Sequence, residues 1–367
     1  MMISSKEHEQ EKVITQLSFI PLRKSRKHRV KFTQYNHSNA KEKDESHDNI
    51  KKDKVPLDKL APWINPHRVY QSGVLGLHEE IEEFYTWIAP TYEGHKTRLD
   101  IVNRVKLCVK KIWPDIEIHT FGSFKTGLYL PSSDVDLVLF GSWSALPLRT
   151  LEKALIDQKI PKSESLIVLE SVKVPIVKFV DSVSGIPVDI SFNMVNSLKS
   201  VQLINIFKKK YPSFPKLLSV LKQILVSRDL ATVFTGGLSS YCLSLLLISF
   251  YQLHPRTDVN SEKVNLGVLL LEFLQLYGCH YNYDTLAVSV REGGRYLIKQ
   301  ELQTEENICN RWAPVGGLSI EDPFIPGKDI ARGTFRVADL KQAWAFAFRQ
   351  LSRGRKRGGL AKLIKMG

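Results

Sequence analysis

The chain has 367 residues and a formal charge of +14, from 52 Lys and Arg against 38 Asp and Glu. That length gives room for about two domains with sizeable cores. The excess charge sits in the ends: residues 1–54 carry +5 and residues 349–367 carry +7, leaving +2 for the stretch between. Such arms suit contact with a polyanion; the bland alternatives are a solvated terminus or an import signal, and Arg23–Lys31 fits nuclear import as well as nucleic-acid contact. Cys108, Cys242, Cys279 and Cys309 form no Cys-x-x-Cys pair, which argues against a zinc site and fits a reducing compartment. The start of the chain is polar and does not read as a secretory signal. The most apolar run, Leu238–Leu253, is too short and too rich in serine to span a bilayer.

Residues 1–56 are polar and charged and read as a disordered arm. Ordered sequence begins near Pro62-Trp63. Ile81, Phe84, Tyr85 and Ile88 recur at helical spacing, and a second helix is expected over about 92–112, with Leu99, Val102, Val105 and Val109 as its buried stripe and Pro114 as its stop. Strands are expected at 116–121 and 135–140, and a hairpin from 174–180 to 186–192. From Val201 onward the pattern is helical: a face of Leu217, Leu218, Leu221 and Leu225, a buried helix at 240–251, and further helices at 264–276 and 337–351.

Three aspartates stand out on this frame. Asp134 and Asp136 lie two apart in Ser133-Asp134-Val135-Asp136-Leu137-Val138-Leu139-Phe140, so on a strand they share a face. Asp189 sits in a second apolar strand, and Phe121-Gly122-Ser123 lies upstream as a glycine turn followed by a hydroxyl. A lone Asp-x-Asp is usually a solvated strand face, and a lone Gly-Ser an ordinary turn. Carboxylates at the mouth of a buried strand, however, repel one another unless a cation sits among them. The set suits Mg²⁺ and a nucleoside triphosphate, because carboxylates are hard oxygen ligands and phosphates supply the remainder.

Phe121-Gly122-Ser123 followed after ten residues by Asp134-Val135-Asp136-Leu137 resembles the signature of the nucleotidyltransferase superfamily that includes DNA polymerase beta. Val188–Asn193, Leu221-Lys222-Gln223, Phe234–Tyr241 and Ile320–Pro323 are similar to the Trf-type template-independent poly(A) polymerases, in order over about residues 57–348. The resemblance implies an α+β architecture: a nucleotidyltransferase catalytic domain at 90–200, a mostly helical central, PAP-associated domain from 57–89 and 201–348, and a basic tail at 349–367. It implies a nuclear enzyme of RNA surveillance that adds AMP from ATP to RNA 3′ ends. Asp134, Asp136 and Asp189 would be catalytic and would hold two Mg²⁺ or Mn²⁺ ions. Gly122, Ser123, Ser133, Lys222, Ser240, Tyr241, Lys328 and Asp329 would contact the nucleotide.

Outside that resemblance Lys222 would read as a snorkelling surface lysine and Tyr241 as a core residue. Relatives often carry a second lysine four residues after Lys222; Val226 stands there, with Arg228 as the candidate substitute. Relatives that add uridine carry a histidine where Lys328 stands, which favours ATP. Glu321-Asp322 is implied to fix the loop and serve base recognition rather than to bind metal. Arg353, Arg355, Lys356 and Arg357 are the expected RNA contacts, and a zinc-knuckle RNA-binding protein and an RNA helicase the expected partners, with no membrane. Uridylyl or mixed-nucleotide tailing is the alternative activity, and a catalytically weak RNA-binding scaffold is the alternative of another class.

Overall fold

The computed structural model describes residues 61–172, 174–301, 316–353 and 359–364, so the N-terminal arm, Cys309 and residues 354–358 lie outside the described residues. Two helices open the described chain, α1 (Gly73–Ile88) and α2 (Tyr92–Ile112). Thr91 caps α2 by accepting the Gly94 N–H at 3.1 Å, and Glu93 and Lys110–Lys111 match the helix dipole at its two ends. The buried stripe of α2 is Arg98, Ile101, Val102, Val105, Cys108 and Val109, while Leu99 is 42% exposed. The expected stripe was therefore out of phase at its first turn, because the neighbouring arginine takes the inward position.

Strands β1 (Glu117–Phe121) and β2 (Val135–Phe140) follow, joined through the short helix α3 (Gly122–Thr126) and the loop after it. Helix α4 (Leu148–Asp157) and strand β3 (Ile167–Leu169) come next, neither of them expected; then β4 (Ile176–Val180) and β5 (Pro187–Phe192) form the expected hairpin. These strands make one mixed sheet in the order β1-β2-β5-β4-β3. Its apolar face packs on α2 and α4 through Val135, Leu137, Leu139, Val177, Val188, Ile190, Ile101, Val105 and Leu151. Arg104 of α2 ties the hairpin down: its guanidinium donates to both oxygens of the fully buried Asp181 at 2.7 and 3.0 Å.

The remainder is mainly helical: α5 (Val195–Lys210), α6 (Phe214–Val226), α7 (Ser240–Gln252), α8 (Leu266–Gln275), α9 (Val337–Ser352) and α10 (Gly359–Leu363). Its core includes Phe250, Phe273, Tyr277 and Trp344, with the Phe273 and Trp344 rings edge to face at 5.6 Å. α1 packs on α6 and α8 rather than on the sheet; Lys216 of α6 meets Glu82 at 2.7 Å, and His78 accepts the Leu266 N–H at 3.1 Å. Two small hairpins were not expected, β6 (Leu286–Ser289) with β7 (Arg295–Ile298), and β8 (Glu321–Asp322) with β9 (Ile325–Asp329). The first had a readable signal: Gly293-Gly294 between two apolar runs, both glycines at positive φ.

The C-terminal segment is more than a solvated arm. Leu360, Leu363 and Ile364 are buried, Glu80 of α1 accepts the Gly359 and Leu360 N–H groups, and the Arg228 guanidinium donates to Leu363 O at 3.2 Å. Apolar residues among the lysines dock this end on α1 and α9. Arg228, the candidate substitute for a lysine at Val226, is thus bonded to a backbone carbonyl here.

Candidate active site

β2 and β5 run parallel with Asp136 directly opposite Asp189, and Asp134 stands just before β2. One carboxylate oxygen from each of the three lies within 4.8 Å of the others. Among the described residues this is the one acidic or metal-ligating group so arranged. Burial, then the charges of Asp134 and Asp189, holds the Asp136 carboxyl well above the usual carboxylate range. Burial also raises Asp189, against the pull of Lys178. Lys178 is the cross-strand neighbour of Asp189 in β4, and its ammonium lies 2.7 Å from Asp189 Oδ2. The other oxygen, Asp189 Oδ1, is buried and has no hydrogen-bond partner. Three crowded carboxylates with one orphaned buried oxygen fit a divalent cation of the Mg²⁺ or Mn²⁺ type, which would relieve the repulsion and satisfy that oxygen.

Gly122 is fixed by the same cluster. Its φ is +62°, and a Cβ on it would lie 2.1 Å from Asp136 Oδ2. Only glycine tolerates both the left-handed conformation and this approach. Ser123 is half-buried in the first turn of α3, and Ser133 turns back to accept the Leu130 N–H at 2.9 Å.

The loop from α3 to Asp134 is held by three cations from three helices, all on backbone carbonyls. Lys208 of α5 donates to Thr126 O at 2.5 Å, Lys222 of α6 to Leu128 O at 2.8 Å, and Arg98 of α2 to Pro131 O and Ser133 O at 2.8 and 3.1 Å. Lys222 is 5% exposed, so it is not the surface residue that its sequence context suggested. Burial lowers its pKa to about 8 even though Asp134 and Asp136 pull the other way.

A second group of expected contacts gathers at the start of α7. Ser239 caps this helix by accepting the Cys242 N–H at 3.0 Å, and Ser240 is exposed beside it. Burial pushes the Tyr241 phenol up to about 12, with Asp322 adding to the effect. Lys328 reaches the same Asp322 at 3.0 Å, so Tyr241, Asp322 and Lys328 come together. Asp329 faces inward and accepts the N–H groups of Ile320 and Ala331 at 3.1 and 2.8 Å. Glu321 takes Ser289 Oγ, the Gly327 N–H and Arg291, which gives it the loop-fixing part.

Comparison with known proteins identifies the family. Residues 77–209 match the family model described as poly(A) RNA polymerase, mitochondrial-like, central palm domain, and residues 265–328 match that of the Cid1 family poly A polymerases. A Drosophila melanogaster protein, Trf4-2, described as an inactive poly(A) RNA polymerase, is 38% identical over 80% of this chain and 73% of its own length. The chain belongs to the Trf4/Cid14-type poly(A) RNA polymerase family. Poly(A) RNA polymerase cid14 of Schizosaccharomyces pombe is 36% identical over 84% of this chain and 45% of its own. Poly(A) RNA polymerase protein 2 of Saccharomyces cerevisiae is 36% identical over 78% and 50%, so the chain spans about half the length of these two relatives. The solved polymerase core of TRAMP, an RNA surveillance complex, superposes with a TM-score of 0.71 at 32% identity, covering 84% of this chain and 100% of that one. A crystal structure of the Cid1 poly(U) polymerase shares the fold, with a TM-score of 0.66 at 21% identity over 79% of this chain and 99% of that one.

In this poly(A) polymerase fold, sequence reasoning missed Arg98, Lys178 and Lys208. Lys178 was legible from the hairpin, since register places it beside Asp189. Arg98 had a fainter signal, a charge on the apolar face three residues before Ile101. Lys208 had none: it is one of three consecutive lysines, and only the fold turns it inward. Arg353 follows α9; Arg355, Lys356 and Arg357 lie outside the described residues.

Proposed function

We propose that this chain is a template-independent RNA 3′-adenylyltransferase that uses ATP. The observation that carries the reading is the Asp134–Asp136–Asp189 cluster with the orphaned Asp189 Oδ1, built against Gly122 in a chain of this family. Two divalent cations on these carboxylates would stabilise the attacking and leaving oxygens of an in-line displacement. The RNA 3′-oxygen forms a bond to the α-phosphorus, the bond to the β-phosphate side breaks, and pyrophosphate leaves.

The protein's own part is placement. Asp134 and Asp136 share the strand mouth and would hold both ions, and Asp189 would bind mainly the ion that lowers the pKa of the 3′-hydroxyl, whose proton passes to solvent. Ser123 and the Lys222 ammonium take the terminal phosphates, Lys222 exchanging its carbonyl partner for phosphate oxygens. Tyr241 stacks on the base, a contact worth about 1–3 kcal/mol and tolerant of base identity. Lys328, held by Asp322, and the inward Asp329 shape the base edge of the pocket. The absence of a histidine at 328 supports ATP over UTP.

RNA held partly by Arg353, Arg355, Lys356 and Arg357, partnership with a zinc-knuckle protein and a helicase, and a nuclear setting belong to the same proposal. They are supported by the likeness to the TRAMP polymerase core and the basic ends of the chain.

The test incubates the purified chain with a high concentration of labelled RNA primer, Mg²⁺ or Mn²⁺, and each nucleoside triphosphate separately. AMP addition that disappears in Asp134→Ala is expected. A chain that binds RNA and ATP but adds no nucleotide under any of these conditions is instead a scaffold; the relative Trf4-2 is itself described as inactive.

A further inference from the structure

Asp134 belongs to no strand. It stands between β2 and the Leu130–Ser133 turn, and the position of its carboxylate depends on how firmly that turn is fixed. The turn is fixed from behind by Arg98. This residue is 3% exposed and reaches across from the first part of α2. Its Nη2 donates to Pro131 O at 2.8 Å and Ser133 O at 3.1 Å and lies 3.5 Å from Leu130 O, while Nη1 donates to Gly94 O at 3.3 Å. The guanidinium carbon sits 4.3 Å from the centre of the Tyr129 ring. No carboxylate is bonded to it among the described residues.

A buried guanidinium bonded to carbonyls rather than to a carboxylate is a costly device for stability alone. An apolar residue would continue the stripe of Ile101, Val102 and Val105 at lower desolvation cost. The carbonyls of one tight turn converge on this point and need donors there. A planar fork supplies several donors in fixed directions from one side chain, and a lysine cannot.

We propose that Arg98 is a positioning residue of the metal centre: it locks the Leu130–Ser133 turn and so sets the Asp134 carboxylate against Asp136 and Asp189. This rests on the reading of the three aspartates as a cation site.

The experiment titrates the full chain, without nucleotide, with Mn²⁺ followed by electron paramagnetic resonance. Arg98→Lys keeps the charge but loses the fork, and about tenfold or greater weakening of Mn²⁺ is expected, the usual effect of losing an outer-shell partner. Arg104→Lys is the control, since Arg104 lies on the same helix but grips Asp181; it should lower the melting temperature and leave Mn²⁺ affinity within twofold of wild type. In an Asp134→Asn background Arg98→Lys should cause no further loss, because the effect passes through Asp134. If Arg98→Lys melts below the assay temperature, Arg98→Gln, which still donates to a carbonyl, is titrated instead. Mn²⁺ affinity unchanged in the Arg98 variant, or weakened equally by the Arg104 variant, overturns the proposal. A wild-type chain that binds no Mn²⁺ overturns the metal reading beneath it.

Discussion

Gly122 backs onto Asp136 so closely that a Cβ on the glycine would fall 2.1 Å from Asp136 Oδ2. The pairing is built into the sheet, since Phe121 stands opposite Asp136 in the β1–β2 register. Gly122→Ala must therefore strain a left-handed backbone and push aside the Asp136 carboxylate, the proposed metal ligand. We expect a loss of about 1–3 kcal/mol in stability together with at least tenfold slower nucleotide addition. Thermal melting and primer extension on one preparation check it; an Ala variant of wild-type activity would show that Asp136 has freedom to move away.

Asp136→Asn separates function from stability. Nucleotide addition should fall about a hundredfold or more, as a ligand to the catalytic ions is lost. Stability without divalent cations should rise at neutral pH, because one of three crowded negative charges is gone. The sign follows from proton linkage. The folded carboxyl holds its proton to higher pH than the unfolded one, so its contribution is fully present below the unfolded value of about 3.9 and is lost as pH rises through the folded value. Wild type should lose stability over that interval in chelator, the Asn variant should lose less, and melting curves from pH 4 to 8 measure both. A variant less stable than wild type at pH 7 would contradict the repulsion argument.

Lys222 gives a pH signature in activity rather than in stability. Its pKa is lowered to about 8, so in the free enzyme the ammonium is largely present at pH 7 and largely gone by pH 9. kcat/KM for ATP, which reports the free enzyme, should decline above about pH 8. Lys222→Arg keeps its charge there, so whatever its absolute activity, its profile should stay flat over the same range. Parallel profiles for the two proteins would remove Lys222 from the triphosphate grip.

Lys328 is anchored by Asp322 at 3.0 Å. A histidine in its place is shorter and weakens that link. The ratio of kcat/KM for UTP to that for ATP should be low in the wild type and rise in Lys328→His, by about tenfold if one hydrogen bond to the base is exchanged. Equal use of both nucleotides by the wild type would sink the proposed base preference.

The basic C-terminal segment needs charge variants rather than truncation. Deleting residues 349–367 would strip Leu360, Leu363 and Ile364 from the core and leave Glu80 without the Gly359 and Leu360 amides. That variant should unfold more easily whatever the tail does to RNA. Replacing Arg353, Arg355, Lys356 and Arg357 with glutamine should leave melting unchanged and weaken all single-stranded RNAs alike. The log–log salt slope should fall by roughly 0.7 for each phosphate that is no longer neutralised. An unchanged slope would assign these charges to import or to a protein partner.

The amino-acid sequence determined the local part of this protein. The apolar runs marked β2 and β5 as buried strands, with Asp136 in the first, Asp134 just before it and Asp189 in the second, and the Gly-Ser turn announced its own backbone. Each depends on residues a few positions apart, where chain geometry alone dictates the outcome. The helices at 92–112 and 337–351 were legible because their apolar residues recur with the helical period, and the helix at 240–251 because a continuous apolar run reads as buried all round. What only the tertiary structure decided is which distant groups meet. Parallel pairing of β2 with β5 sets Asp136 beside Asp189, and no local pattern carries that register. Lys208, Lys222 and Arg98 converge on one loop from three helices because its inward carbonyls, cut off from water, require donors. The C-terminal residues hold buried positions because α1, far away in sequence, and α9 pack against them, with Glu80 accepting their amides and Arg228 donating to the Leu363 carbonyl.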